Sequence, residues 1–235
     1  GMPEKEEYYY RMAEQNKVDG IICVTYQDVE PYVSENIPLI SLDRHFHKKV
    51  SCISSDNYHG GELAAQKMIS TGSRHLLYLR NGSEISGETL KRGKGFKSYC
   101  DAHGVYCETL NLGDDFDLVR GKASVEDVLR NFIISARKTG KMRYDGIYTS
   151  TDLLAKALLE QLQFLGVEVP EEVQLVGHDG MQWMNSGKYL VSTIVQPVPD
   201  MARKAVELLL KKIKGEEIET LTILPVEFAE GGTTR

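Results

Sequence analysis

The chain has 235 residues, of which 41% are hydrophobic and 26% charged, enough to bury one large core or two smaller ones. A formal net charge of −6 excludes a generally basic face for holding a polyanion. No apolar run is as long as a membrane span, and the start, Pro3-Glu4-Lys5-Glu6-Glu7, is acidic where a secretory leader is basic and then apolar.

In chain order, Glu4 to Asn16 carries Tyr8, Tyr9, Met12 and Ala13 at the spacing of an amphipathic helix. Three apolar runs ending in polar residues follow: Val18 to Val24, Ile37 to Arg44 and Val50 to Asp56. Each predicts a buried strand. Tyr58 to Ser70 predicts a helix with Leu63, Ala64, Met68 and Ile69 inward, stopped by Gly72 before a strand at His75 to Leu79. A polar loop from Arg80 to Thr89 leads to a helix over Arg92 to Ala102, a strand over Tyr106 to Asn111 and a helix over Val119 to Lys138.

The clearest unit runs from Tyr144 to Asp179. A strand ends in Ser150-Thr151-Asp152, residues able to cap the helix whose apolar positions are Leu153, Leu154, Ala157, Leu158, Leu162 and Leu165. Gly166 stops that helix, and Val173 to Gly177 forms the next strand, ending in His178-Asp179-Gly180. A looser segment holds Trp183, then come a strand at Leu190 to Val195, an amphipathic helix over Asp200 to Lys214, and a last strand over Leu221 to Phe228. Alternation of strands and helices predicts a mainly parallel α/β architecture with polar groups at the strand ends.

Enzyme signatures are absent: there is no G-x-S-x-G, no Walker loop, no H-E-x-x-H and no dinucleotide fingerprint around Gly93-Lys94-Gly95. Cys23, Cys52, Cys100 and Cys107 form no CxxC pair, and the six histidines are scattered. No catalytic residue, metal or cofactor is implied, and the cysteine usage points to a reduced, cytoplasmic setting. The strand ends instead offer carboxylates, an arginine and an amide. A sugar needs such groups around its hydroxyls and an aromatic face beneath its ring. The candidates are Asp43, Arg44, Asp56, Arg92, Phe116, Thr151, Asp179 and Gln196. Plainer roles stand beside these: Asp56 and Asp152 suit helix caps, Arg44 a solvated turn, and Phe116 a packing position.

In order, Val18-Asp19-Gly20-Ile21-Ile22, Ile37-Pro38-Leu39-Ile40 with Asp43-Arg44, and Asp56-Asn57 with Gly60-Gly61 are followed by Arg92-Gly93-Lys94-Gly95-Phe96. Val169-Pro170-Glu171-Glu172-Val173, Val176-Gly177-His178-Asp179 and Ser192-Thr193-Ile194-Val195-Gln196-Pro197 complete the series. This ordered set resembles the effector-binding domain of LacI/GalR-type bacterial transcription regulators and is similar to ribose-type periplasmic binding proteins. The resemblance implies a two-lobed periplasmic-binding-protein-like fold, each lobe a mainly parallel sheet flanked by helices, with a small effector held between the lobes. It places residues 1–81 and 197–216 in an N-terminal lobe and 82–196 and 217–235 in a C-terminal lobe.

The same resemblance assigns effector contacts to Asp43, Arg44, Asp56, Arg92, Asp179 and Gln196, with Phe116 as the stacking aromatic. Thr151-Asp152 stands where the family has Asn-Asp, and Gly231 where it has arginine. The implied effector is a mono- or disaccharide or its phosphate, and the implied partners are a second copy of the chain and operator DNA through a helix-turn-helix headpiece, with no membrane. That headpiece, the first βα unit and the second strand of the N-terminal lobe are expected to belong to a longer regulator; a natural short protein is the alternative. A sugar-binding protein of a transport system is the second functional expectation.

Overall fold

The computed structural model describes residues 3–25, 30–33, 36–46, 50–81, 87–113, 125–183 and 186–235. In chain order the elements begin with α1 (Pro3–Gln15), β1 (Ile21–Val24), β2 (Leu39–Leu42), β3 (Ser51–Ser55), α2 (Asn57–Ser70), β4 (His75–Arg80) and α3 (Gly87–Ala102). They continue with β5 (Tyr106–Asn111), α4 (Val125–Ala136), the short hairpin β6 (Arg137–Lys138) and β7 (Lys141–Met142), β8 (Gly146–Thr149) and α5 (Asp152–Phe164). The chain closes with β9 (Gln174–Asp179), β10 (Ser192–Val195), α6 (Val198–Ile213), β11 (Leu221–Leu224) and β12 (Glu227–Ala229).

These elements divide into two compact units. The first takes Gly1–Asp56, Ser86–Glu88 and Pro197–Pro225; the second takes Asn57–Ile85, Thr89–Gln196 and Val226–Arg235. The first unit is built on a four-stranded sheet in the order β1-β2-β3-β11, every pairing parallel. Helix α6 lays Met201, Ala205 and Leu208 on Ile40 and Ile53. Asp200 in its first turn and Lys211 and Lys212 in its last match the helix dipole.

The second unit is built on a six-stranded sheet, β12-β10-β9-β8-β4-β5, parallel except where β12 runs against β10. Strand residues alternate between its two faces, as the period of two requires. Leu77, Leu79, Ile147 and Leu175 meet Leu129, Phe132 and Ile133 of α4 and Leu154, Leu158 and Leu162 of α5. Leu76, Tyr78, Tyr148 and Val176 meet Ala64, Ala65 and Met68 of α2 and Phe96 and Cys100 of α3. Each fully buried Leu contributes about 1.5–3 kcal/mol of hydrophobic stabilisation.

Two glycines set the crossing of α2 and α3. A Cβ at Gly61 would lie 2.0 Å from the Arg92 carbonyl oxygen, and one at Gly95 would lie 1.9 Å from that of Tyr58. Only glycine lets the two backbones approach so closely, and the contact fixes the part of α3 that carries Arg92.

Three expectations are corrected. The boundary at residue 81 lies inside the second unit, because α2 and β4 bury their apolar residues in that unit's core, so the chain changes unit after Asp56. The segment 217–224, expected in the second lobe, belongs to the first unit, where β11 pairs with β3. The single strand expected over Leu221 to Phe228 is two strands in two sheets. Pro225 stands between them; it has no N–H to donate and cannot continue a ladder. The helix expected from Val119 is observed over Val125–Ala136, residues 119–124 lying outside the described set.

Candidate functional site

In the six-stranded sheet, β4 is the strand at which the chain reverses direction: β5 lies on one side of it and β8 on the other. Such a switch point leaves a crevice outside the carboxyl ends of the two central strands, the usual ligand position in open α/β sheets. The polar side chains of this unit gather there and at the neighbouring ends of β9 and β10.

Arg92 is their centre. It is 5% exposed, held on α3 by the glycine crossing. Its Nε donates to Oδ1 of Asn57 at 2.6 Å and its Nη1 to the Ser150 carbonyl oxygen at 2.5 Å, joining the start of α2 to the end of β8. The same Nη1 reaches Oδ1 of Asp179, at the end of β9, at 3.4 Å. That carboxylate oxygen also accepts from Nε2 of Gln196, just after β10, at 2.8 Å. Arg92, Asp179 and Gln196 thus converge on one carboxylate oxygen. Thr151 sits at the adjoining strand end, where its Oγ1 accepts the Leu154 N–H at 3.2 Å and caps α5.

Behind this group lies a buried polar pair. The Tyr148 hydroxyl and Nδ1 of His178 are 2.6 Å apart, and both residues are fully buried. Burial, reinforced by the nearby Arg92, lowers the His178 pKa well below its usual value, so the ring is neutral. Burial likewise raises the Tyr148 pKa, keeping the phenol protonated.

Asp43, Arg44 and Asp56 lie in the four-stranded unit. Asp43 follows β2 with φ +52°, and its Oδ1 accepts from the Ser54 hydroxyl at 3.0 Å and the Ser55 N–H at 3.2 Å. The Ser54 hydroxyl is also 3.0 Å from Oε2 of Glu88, whose Oε1 is 3.4 Å from Nε2 of His45. Arg44 accepts the Ser41 hydroxyl through its main-chain carbonyl and stands 6.0 Å from the Phe46 ring centre. Asp56 donates its N–H to the Leu224 carbonyl at 2.8 Å. Phe116 lies outside the described residues. A groove of about 310 Å³ between α1 and β1, lined by Tyr9, Tyr10, Ile22 and Val24 among others, contains none of the expected contacts.

Sequence reasoning missed Asn57 and Ser150 as partners of Arg92. An asparagine directly after a strand-end aspartate was a usable signal for the first. Ser150 contributes its main-chain carbonyl, which every residue carries, so no residue type announces it.

The family model of the periplasmic binding protein-like domain matches residues 65–234. The ribose operon repressor of Bacillus subtilis (strain 168) is 32% identical over 99% of this chain and 68% of its own length. The sucrose operon repressor of Pediococcus pentosaceus is 30% identical over 98% of this chain and 69% of its own. Among solved structures, the periplasmic binding protein/LacI transcriptional regulator from Alkaliphilus metalliredigens QYMF, complexed with D-xylulofuranose, superposes with a TM-score of 0.77. It is 28% identical and is matched over 99% of this chain and 84% of that one. The chain therefore belongs to the periplasmic binding protein-like family, as an effector-binding domain of the LacI/GalR type.

Proposed function

We propose that this domain senses a small sugar for a transcription regulator and that the sugar's hydroxyls are taken by Arg92, Asp179 and Gln196. The observation that carries this reading is the convergence of those three side chains at the switch-point end of the six-stranded sheet. A hydroxyl both donates and accepts, so a neighbouring pair of them fits a carboxylate beside a guanidinium. The Asp179 side chain is 30% exposed and Arg92 only 6%, making the carboxylate the reachable end. The 3.4 Å separation between them is loose, so an entering hydroxyl takes over that Arg92 donor at little loss.

The role is binding without turnover, in the cytoplasm. Occupancy acts by favouring one of two states of the domain, which a sugar can do only through unequal affinity for them. The output is operator DNA binding through a headpiece, carried out by a dimer.

A thermal-shift and calorimetric screen of D-ribose, sucrose, cellobiose and D-xylulose tests the reading. One of them is expected to raise the melting temperature, by the equivalent of about 2.7 kcal/mol at a concentration a hundred times its Kd. Arg92→Ala and Asp179→Ala are each expected to weaken that sugar by about 1.5–3 kcal/mol. The same assay applied to Asp43, Arg44, Asp56 and Thr151 decides whether they are contacts. Failure of every mono- and disaccharide to bind overturns the proposal.

A further inference from the structure

The end of β9 carries unusual backbone. φ is +126° at Asp179 and +80° at Gly180. Gly180 meets its requirement by having no side chain; a Cβ there would stand 2.9 Å from Cγ1 of Val195. Asp179 has no such freedom. A residue with a side chain keeps a sparsely populated conformation only where its surroundings hold it there.

The groups that hold it meet on one carboxylate. Asp152, the first residue of α5, is fully buried. Its Oδ2 accepts the Met181 N–H at 2.6 Å, and its Oδ1 accepts the Thr193 hydroxyl at 2.6 Å. Oγ1 of Thr193 accepts the Gly180 N–H at 3.3 Å, so both residues that follow Asp179 are tied to the start of α5. The sheet admits this carboxylate because residue 177 is glycine; a Cβ there would lie 2.1 Å from Oδ1 of Asp152. The helix cap itself is supplied by Thr151, so capping does not account for Asp152.

We propose that Asp152 is a positioning residue for the effector site: it clamps the Asp179–Met181 turn in the conformation that presents the Asp179 carboxylate to a sugar. The proposal rests on the sugar-sensing reading above. Asp152 acts through Asp179 and makes no ligand contact of its own. The carboxylate is an expensive choice for stability alone. Burial pushes its pKa up to about 6, against the lowering effect of the Thr193 and Met181 hydrogen bonds, and the Asp179 charge on β9 pushes the same way as burial. The Asp152 charge in turn adds to the rise in the pKa of Tyr148 on β8, which is set mainly by burial. An ionised group kept where the fold resists its charge is expected at a site whose geometry serves binding.

Asp152→Asn in the 235-residue chain separates this role from a merely structural one. The Met181 amide is expected to exchange with solvent at least tenfold faster, and the Kd for the best binder among D-ribose, sucrose, cellobiose and D-xylulose to rise at least tenfold. The melting temperature at pH 7 is expected to stay level or rise. Thr193→Val, which removes the hydroxyl that links Gly180 to Asp152 and leaves the Met181 bond in place, is expected to give a smaller change in the same direction and covers the case in which Asp152→Asn fails to fold. Unchanged Met181 exchange overturns the clamp, and so does a loss of affinity that merely follows a fall in melting temperature. If no sugar binds the unmodified chain, the sugar reading fails, while Met181 exchange still decides the clamp.

Discussion

Each unit places an aspartate with positive φ at the end of a parallel strand, Asp43 after β2 and Asp179 at the end of β9. Asp43 accepts hydrogen bonds from Ser54 and Ser55 of the adjacent strand β3, and its φ of +52° lies in the left-handed region that aspartate tolerates. Asp179 has φ +126° and takes its partners from α3 and from the residue after β10, with the turn beyond it tied to α5. The first places the backbone in a conformation that aspartate tolerates, with hydrogen bonds from the neighbouring strand. The second needs four elements to agree, and a strained residue held by distant partners is what a ligand-responsive site requires.

The sharpest way to break this contrast is at the helix crossing beneath Arg92. Gly95→Val forces side-chain atoms onto the Tyr58 carbonyl and is expected to destabilise the second unit by about 3 kcal/mol or more, read by urea denaturation. Next comes pH. The pKa of Asp152 is raised from the usual carboxylate value near 4 to about 6, so the folded chain binds this proton more tightly than the unfolded one. Its contribution therefore makes stability fall as pH rises from about 4 to about 6, by on the order of 2–3 kcal/mol. Asp152→Asn is expected to remove that component of the pH dependence, measured as the difference between the two stability profiles.

Arg92→Met is expected to lower stability by about 2 kcal/mol, because Asn57 and the Ser150 carbonyl lose their donor inside the protein. The smallest effect belongs to the first unit. Ser54→Ala removes one hydroxyl from Asp43 and Glu88 and is expected to cost about 1 kcal/mol, with no change in the exchange of the Met181 amide. A loss at Ser54 as large as that at Arg92 would erase the distinction between the two aspartates.

The residue pattern alone determined the alternation of strands and helices, the faces of α2 and α4, most of the face of α5, and the presence of polar groups after each strand; on α6 it misled, since Met201, Ala205 and Leu208 are buried while Val206, Leu210 and Ile213 are exposed. These are local properties: an apolar stripe at helical spacing reports burial whatever covers it, and glycine ends a helix wherever it stands. Arg92, Asp179 and Gln196 were named among eight candidates through the order of motifs that carries the family resemblance, not through periodicity. Only the tertiary structure decided that α2 and β4 belong to the second unit, that Pro225 divides one apolar run between two sheets, and that Asp152 holds the Asp179 turn. Those outcomes depend on strand order and on backbone approaches of about 2 Å at Gly61, Gly95 and Gly177, and periodicity carries no information on which partner an apolar face or a buried carboxylate will meet.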